Sequence, residues 1–255
     1  MVTQKGGASM TSTVASAGEL SNGMNAMRVD LFQLQVPQGT ISRNEKFWKR
    51  VDENAVDPAT YDLLYRNGVR VGQATLAEWD YFRAVMEQYP AVTKATSLLA
   101  SESKPIELSM RKDIPCQEIS FFDAGNRLVI RSYDACENII ALSFQQAPRR
   151  GNAMRVALCP TVRSVHKRLE YSPLNNEVEV TYVAPERIYD LNLRTDVPAD
   201  SFLVIAPSAE ASAPSSVGNN FFITRGSAER LENVLLIVPR PVRVEERAAA
   251  SGKTK

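Results

Sequence analysis

Histidine is almost absent from this sequence: its 255 residues hold one, His166. A His-built metal site is therefore excluded, and a Ser–His–Asp triad would have to use His166. No G-x-S-x-G nucleophile elbow accompanies it. Cysteine is scarce, and its odd number (Cys116, Cys136, Cys159) excludes complete pairing within the chain. The intervals from Cys116 to Cys136 (20) and from Cys136 to Cys159 (23) fit no zinc or iron–sulfur spacing. The three are read as small buried hydrophobes. A single disulfide, with the oxidising compartment it would imply, is the alternative.

An excess of one charge is also missing. The 30 Lys and Arg residues nearly cancel the 29 Asp and Glu. Such a chain has no long-range attraction for polyanions, so neither nucleic acid nor an anionic membrane surface is an expected partner. No apolar run approaches the roughly 20 residues of a membrane-spanning helix. The longest, Val234-Leu235-Leu236-Ile237-Val238, has strand length. A clear signal peptide is lacking: Lys5 could start one and Ala15-Ser16-Ala17 resembles a cleavage site, but residues 8–14 carry too much Ser and Thr for its apolar core.

What remains is ordinary globular composition, 44% hydrophobic and 23% charged. Residues 1–26 are rich in Ser, Gly, Ala and Thr and are expected to be a disordered tail, as are residues 246–255. Between them two regimes follow one another. In residues 27–90, Phe32, Leu34 and Val36 alternate with Gln33 and Gln35, which predicts a half-buried strand. Ser42-Arg43-Asn44-Glu45 fits a capping box, opening a helix with Phe47, Trp48 and Val51 on one face. Asp57-Pro58 opens a second helix and Asn67-Gly68 closes it. A short strand, 69–71, is expected to stop at Gly72. Thr75-Leu76-Ala77-Glu78 is a second capping box, before a helix reaching about Tyr89.

Beyond Pro90 helical periodicity disappears. Strands are expected over 106–110, 119–122, 127–132, 139–144, 155–158, 167–171, 177–183, 188–193, 201–205, 220–224 and 234–238, separated by turn signals. Residues 207–218, rich in Ser, Ala and Pro, are expected to form an exposed loop, the stretch best suited to carry a binding surface. The fold class is thus α+β: a small helix-containing unit, 27–90, before a mainly antiparallel β-sandwich or barrel-like domain, 91–245. The two are allowed to share one core.

The candidate sites read as structure. His166 lies between Val165 and the cations Lys167 and Arg168, with no ligand-type residue at suitable spacing, and is assigned to a solvated strand edge. Asp52-Glu53 is the best carboxylate pair, but adjacent helical residues diverge, so capping or solvation is expected. Asn67-Gly68-Val69-Arg70-Val71-Gly72 lacks the G-x-G-x-x-G and Walker spacings and reads as a helix stop and a strand. Arg149-Arg150 and the cluster 163–168 have no interleaved aromatics and are assigned to turns. Trp48, Trp79, Tyr81 and Phe82 could form a sugar-binding face, but their helical spacing predicts a packed core. No catalytic, cofactor-binding or metal-binding residue is assigned, and no cofactor is expected.

Two stretches carry resemblances. Phe47-Trp48-Lys49-Arg50-Val51-Asp52-Glu53, followed by Leu64-Tyr65-Arg66-Asn67-Gly68-Val69-Arg70-Val71-Gly72, resembles a module of uncharacterised planctomycete-type bacterial proteins: an aromatic-rich helix ending in V-D-E, then a helix closing in N-G-x-R-V-G. Asp200 to Ala206, Ser216 to Phe222 and Asn233 to Val242 resemble the end of the secretin C-terminal domain, whose last strand reads L-L-I-x-x-P-R-x-V. A membrane-spanning hairpin and a glycine-rich block at 207–218 are absent, which argues against a secretin pore. The resemblances imply a secretin-like β fold without the pore, in a non-enzymatic structural or assembly component of the bacterial envelope, with protein partners. A carbohydrate- or peptidoglycan-binding module is the alternative, and a hydrolase with scattered carboxylates a third.

Overall fold

The computed structural model describes residues 27–89, 93–100, 105–147, 153–164, 167–172, 177–182, 185–225 and 229–240. The fold is α+β, with antiparallel sheets and few helices. Its elements run β1 (Met27–Pro37), α1 (Glu45–Trp48), α2 (Pro58–Arg66), β2 (Val69–Thr75), α3 (Trp79–Glu87), β3 (Thr93–Ala100), β4 (Ile106–Phe122), β5 (Leu128–Gln146), β6 (Ala153–Ser164), β7 (Lys167–Ser172), β8 (Glu177–Tyr182), β9 (Glu186–Arg187), β10 (Leu193–Pro198), β11 (Ser201–Pro207), α4 (Val217–Phe222), β12 (Ile223–Arg225) and β13 (Arg230–Arg240). The first sheet has the order β2-β11-β13-β1-β3, with β12 also on β13; the second has the order β10-β6-β5-β4, with β9 also on β6; β7 and β8 pair with each other and, among the described residues, with no other strand.

The central strands of the first sheet, β11 and β13, are buried on both faces, and strand parity shows how. Val29, Leu31, Val71, Leu203, Ile205, Leu235 and Ile237 share one core with the inward residues of the second sheet, among them Phe121, Ile140, Leu142, Val156 and Leu158. Leu34, Val36, Phe202, Val204, Val234, Leu236 and Val238 pack instead against Phe47, Trp48, Phe82 and Met86 of the helices. Side chains alternate along a strand, so a strand covered on both sides reads as an unbroken apolar run. That is why β11 and β13 are so conspicuous in the sequence. α1 and α3, the first sheet and the second sheet thus form three layers, while α2 and α4 give Leu64, Val217, Phe221 and Phe222 to the core that the two sheets share. Strands from both expected units, 27–90 and 91–245, share the first sheet, so residue 90 divides neither a sheet nor a core.

Several expectations need correction. The strands expected at 106–110 and 119–122 are one strand, β4, and those at 127–132 and 139–144 are one strand, β5. The apparent breaks are irregularities within a continuous ladder, with register shifts between Ser109 and Ile114 and positive φ at Asp113 and Ala135. Pro115 is tolerated because β4 lies at the sheet edge. The stretch 188–193 is mostly a 3-10 turn, Tyr189–Leu191, because Ile188 and Leu191, three apart, both enter the core. Asn220 to Phe222 belong to α4, not to a strand. All six residues of α4 are buried, so this helix has no polar face to reveal its period.

Both capping boxes differ from expectation. The cap of α1 is Asn44, whose side chain accepts from Lys46 N (3.1 Å) and Phe47 N (3.2 Å). Ser42 instead gives its backbone N–H to the buried Glu232 carboxylate. Thr75 makes no side-chain capping bond, and a 3-10 turn, Leu76–Glu78, precedes α3. The strand from Val69 continues through Gly72 to Thr75.

Candidate functional site

The region around α2 gathers the residues of the first resemblance, and each makes an architectural contact. Asp57 caps α2, its carboxylate accepting from Thr60 N at 3.0 Å. Asn67 ends the helix and is buried: its Oδ1 accepts from Phe122 N at 2.8 Å, and its Nδ2 donates to Phe122 O at 3.0 Å. This paired bond fastens the helix to the β4 end. Gly68 takes φ +86°, which a β-carbon would strain, and touches the Gly218 backbone. Gly72 leaves room for Val51 and for the carbonyl of Asp52. Asp52 and Gln73 exchange backbone hydrogen bonds (2.7 and 3.0 Å), tying the segment after α1 to the edge of β2.

Glu53 and Arg70 complete the arrangement. The Arg70 guanidinium donates to both Glu53 carboxylate oxygens, at 2.6 and 2.9 Å, and lies 4.2 Å from the Trp48 ring centre. The Tyr61 hydroxyl donates to Glu53 at 2.7 Å. Burial, and next the hydrogen bond to Glu53, push the Tyr61 hydroxyl well above its usual range, so it remains a donor. The carboxylate pair Asp52-Glu53 is therefore split: Asp52 caps the 3-10 turn Glu53–Ala55 through Asn54 N (3.0 Å), while Glu53 neutralises Arg70. Replacing Glu53 with alanine leaves a mostly buried guanidinium and is expected to cost about 2 kcal/mol in a denaturant titration. Replacing Glu45, the exposed second partner 3.5 Å from Arg70, is expected to cost less than about 0.5 kcal/mol.

The aromatic candidates form a core. Trp48 is buried, and its indole N–H donates to Ile41 O at 2.9 Å. Phe82 is buried against Phe47 and Phe202, at centroid distances of 4.9 and 5.0 Å. Trp79 is half-buried between Phe32 and Phe202, each at 5.2 Å. Trp48 therefore cannot stack on a sugar. His166, Arg149 and Arg150 lie outside the described residues. Arg163 pairs with Glu137 and Glu107.

The expected exposed loop, 207–218, is so only in its middle, where Ala209, Glu210, Ser212, Ala213 and Pro214 are exposed. Ser208, Ala211, Ser216 and Val217 are buried. Ser208 donates to Tyr65 O at 2.9 Å, and Ser216 caps α4 by accepting from Asn219 N at 3.1 Å. Two of the serines that suggest a solvated loop, Ser208 and Ser216, are in fact satisfying backbone ends. At the adjoining edge of β4, Ser120 N donates to Ser215 O at 2.8 Å.

Three features of the described surface are open. The first is β3, which pairs with β1 on one side and with no described strand on the other, and whose residues Lys94, Ala95, Thr96 and Ser97 are all exposed. The second is the exposed pair Leu128 and Ile130 on β5. The third is an open depression of about 440 Å³ on α2, lined by Tyr61, Asp62, Tyr65 and Arg66. The sequence does not announce it, because tyrosines four apart on a helix ordinarily form its apolar stripe. Their spacing of four, with charged residues directly after each, is the signal that could have marked it.

Cys116 is exposed, whereas Cys136 and Cys159 are buried and free. Burial pushes both buried thiols up from their ordinary range. One thiol per chain is thus expected to react with a thiol reagent in the native protein, and three after denaturation; Cys116→Ser should abolish the native reaction. No group of three or more His, Cys, Asp and Glu able to hold a metal ion occurs among the described residues, and none of their helices is long and apolar enough to cross a membrane. No family model, curated protein or solved structure matches the chain.

Proposed function

We propose that this protein is a non-enzymatic assembly component that takes a partner's extended strand onto the free edge of β3. The observation that carries this reading is that no described strand pairs with the outer edge of β3. An edge strand presents unpaired backbone N–H and C=O groups, and proteins usually blunt or cover such a row. Here the β2 edge is covered by Asp52, and the β4 edge is met by Ser215. The edge of β3 carries a single charge, Lys94, over eight residues. An incoming strand would gain a full backbone ladder there. The placement of the partner in the bacterial envelope rests on the secretin-like and planctomycete-type resemblances, and it belongs to the proposal.

The test combines fractionation with a photo-crosslinking residue at Thr96 in the native organism. Recovery in the envelope, with a defined protein crosslinked from position 96 and not from position 80 on α3, supports the reading. A protein recovered outside the envelope, with no crosslink from position 96, overturns it.

A further inference from the structure

The depression on α2 has a chemistry that the edge of β3 does not share. Tyr61 and Tyr65 stand side by side, their ring centres 5.9 Å apart and their planes tilted by 32°. Tyr61 is held still by its bond to Glu53, which Arg70 fixes in turn. The shelf is therefore formed before any ligand arrives, which lowers the entropy lost on binding.

The polar groups at its rim are left open by the surrounding structure. Asp62 and Arg66 are four apart on one helix, the spacing at which such a pair normally closes on itself. It does not close here. Arg66 donates through Nη1 to Asn126 Oδ1 in the β4–β5 turn, and through Nε to the backbone carbonyl of Asp62 at 3.3 Å. The guanidinium has five N–H donors, so several remain for a ligand. The Asp62 carboxylate and the Tyr65 hydroxyl have no partner among the described residues. Tyr189, 68% exposed, stands on the 3-10 turn packed beside α2.

An aromatic shelf, an open carboxylate acceptor and an open guanidinium donor match one ligand chemistry closely. A pyranose ring has an apolar C–H face for the tyrosines and vicinal hydroxyls that both donate and accept. We propose that this depression binds a neutral oligosaccharide: Tyr61 and Tyr65 stack on its rings, Asp62 accepts from its hydroxyls, and Arg66 donates to them. An apolar ligand would leave Asp62 and Arg66 unused, and a polyanion would be repelled by Asp62.

The test is calorimetric titration of the full chain with β-1,4-linked hexasaccharides of glucose, xylose and N-acetylglucosamine. Binding of at least one is expected. Tyr65→Ala and Asp62→Ala should each weaken it about tenfold or more. Neither side chain supports the fold by a hydrogen bond, so the melting temperatures should stay close to that of the parent. Arg66→Lys should also weaken binding, because a point charge cannot replace the fork of donors. Failure of all three sugars to bind overturns the proposal, as does unchanged affinity in Tyr65→Ala. Binding of a proline-rich peptide at Tyr65 in place of the sugars overturns it too, since such segments also dock on aromatic shelves.

Discussion

Replacing Gly218 with alanine is expected to prevent the protein from folding stably. A β-carbon there would lie 2.0 Å from the carbonyl oxygen of Gly68, 2.4 Å from its carbonyl carbon and 2.6 Å from its α-carbon. All three are backbone atoms, so no side chain can swing aside to relieve the overlap. The backbone cannot retreat cheaply either. Gly218 N donates to Asn67 O at 2.8 Å, and Gly68 O accepts from Ser208 N at 2.9 Å. Separating the two glycines would break both bonds, lift α4 from the core and pull Asn67 from its bonds to Phe122. A loss of at least about 4 kcal/mol follows, a large share of the roughly 5–15 kcal/mol that holds a domain together.

Gly39→Ala is the informative comparison. Gly39 has φ +92°, but only the flexible Arg43 side chain comes near, at 3.8 Å. Its cost is therefore conformational alone, about 1 kcal/mol. Soluble expression, circular dichroism and denaturant midpoints of the two variants separate a strained backbone from a forbidden contact. A Gly218→Ala protein as stable as the parent would show that α2 and α4 do not cross this closely.

The second large effect is expected at Glu232. Its side chain lies within β13, fully buried, with no cation in contact among the described residues. The carboxylate accepts from Ile41 N and from Ser42 N, the latter at 3.2 Å. It thus closes the turn that brings the chain from β1 to α1. Glu232→Ala would strand both N–H groups in a dry core and is expected to cost about 2–5 kcal/mol. Glu232→Gln keeps an oxygen of the same reach and is expected to cost about half as much. The turn also holds Trp48, through Ile41 O. Its release should shift tryptophan emission to the red and raise iodide quenching in Glu232→Ala, but not in Glu232→Gln. Equal losses in the two variants would show that the acceptor oxygen is not what secures the turn.

Neither position was marked by local pattern. Gly218 stands in a stretch that reads as a polar loop and as the start of a strand, and nothing nearby announces that its partner lies 150 positions earlier. Glu232 reads as a charge at the start of a strand. What makes each critical is the side chain or backbone placed opposite it by pairing between distant segments. The depression on α2 has the same origin, because Arg66 leaves Asp62 open only where the β4–β5 turn brings Asn126 within reach.

Elements whose causes lie within a few residues were legible. Asp57-Pro58 and Asn67-Gly68 bound α2 where they were expected, since a cap, a prolyl first turn and a left-handed glycine act locally. The unbroken runs of β11 and β13, and the aromatic spacing that packs Phe47, Trp48 and Phe82 together, also follow from the sequence, because burial dictates their composition. Tertiary structure alone joined the expected strand fragments into β4 and β5, where long ladders outweigh local bends. It turned 217–222 into a helix, because enclosure on all sides replaces the amphipathic pattern. It also wove 27–90 and 201–240 into one sheet, because β1 gains one of its two hydrogen-bonded neighbours from β13, some 200 positions away.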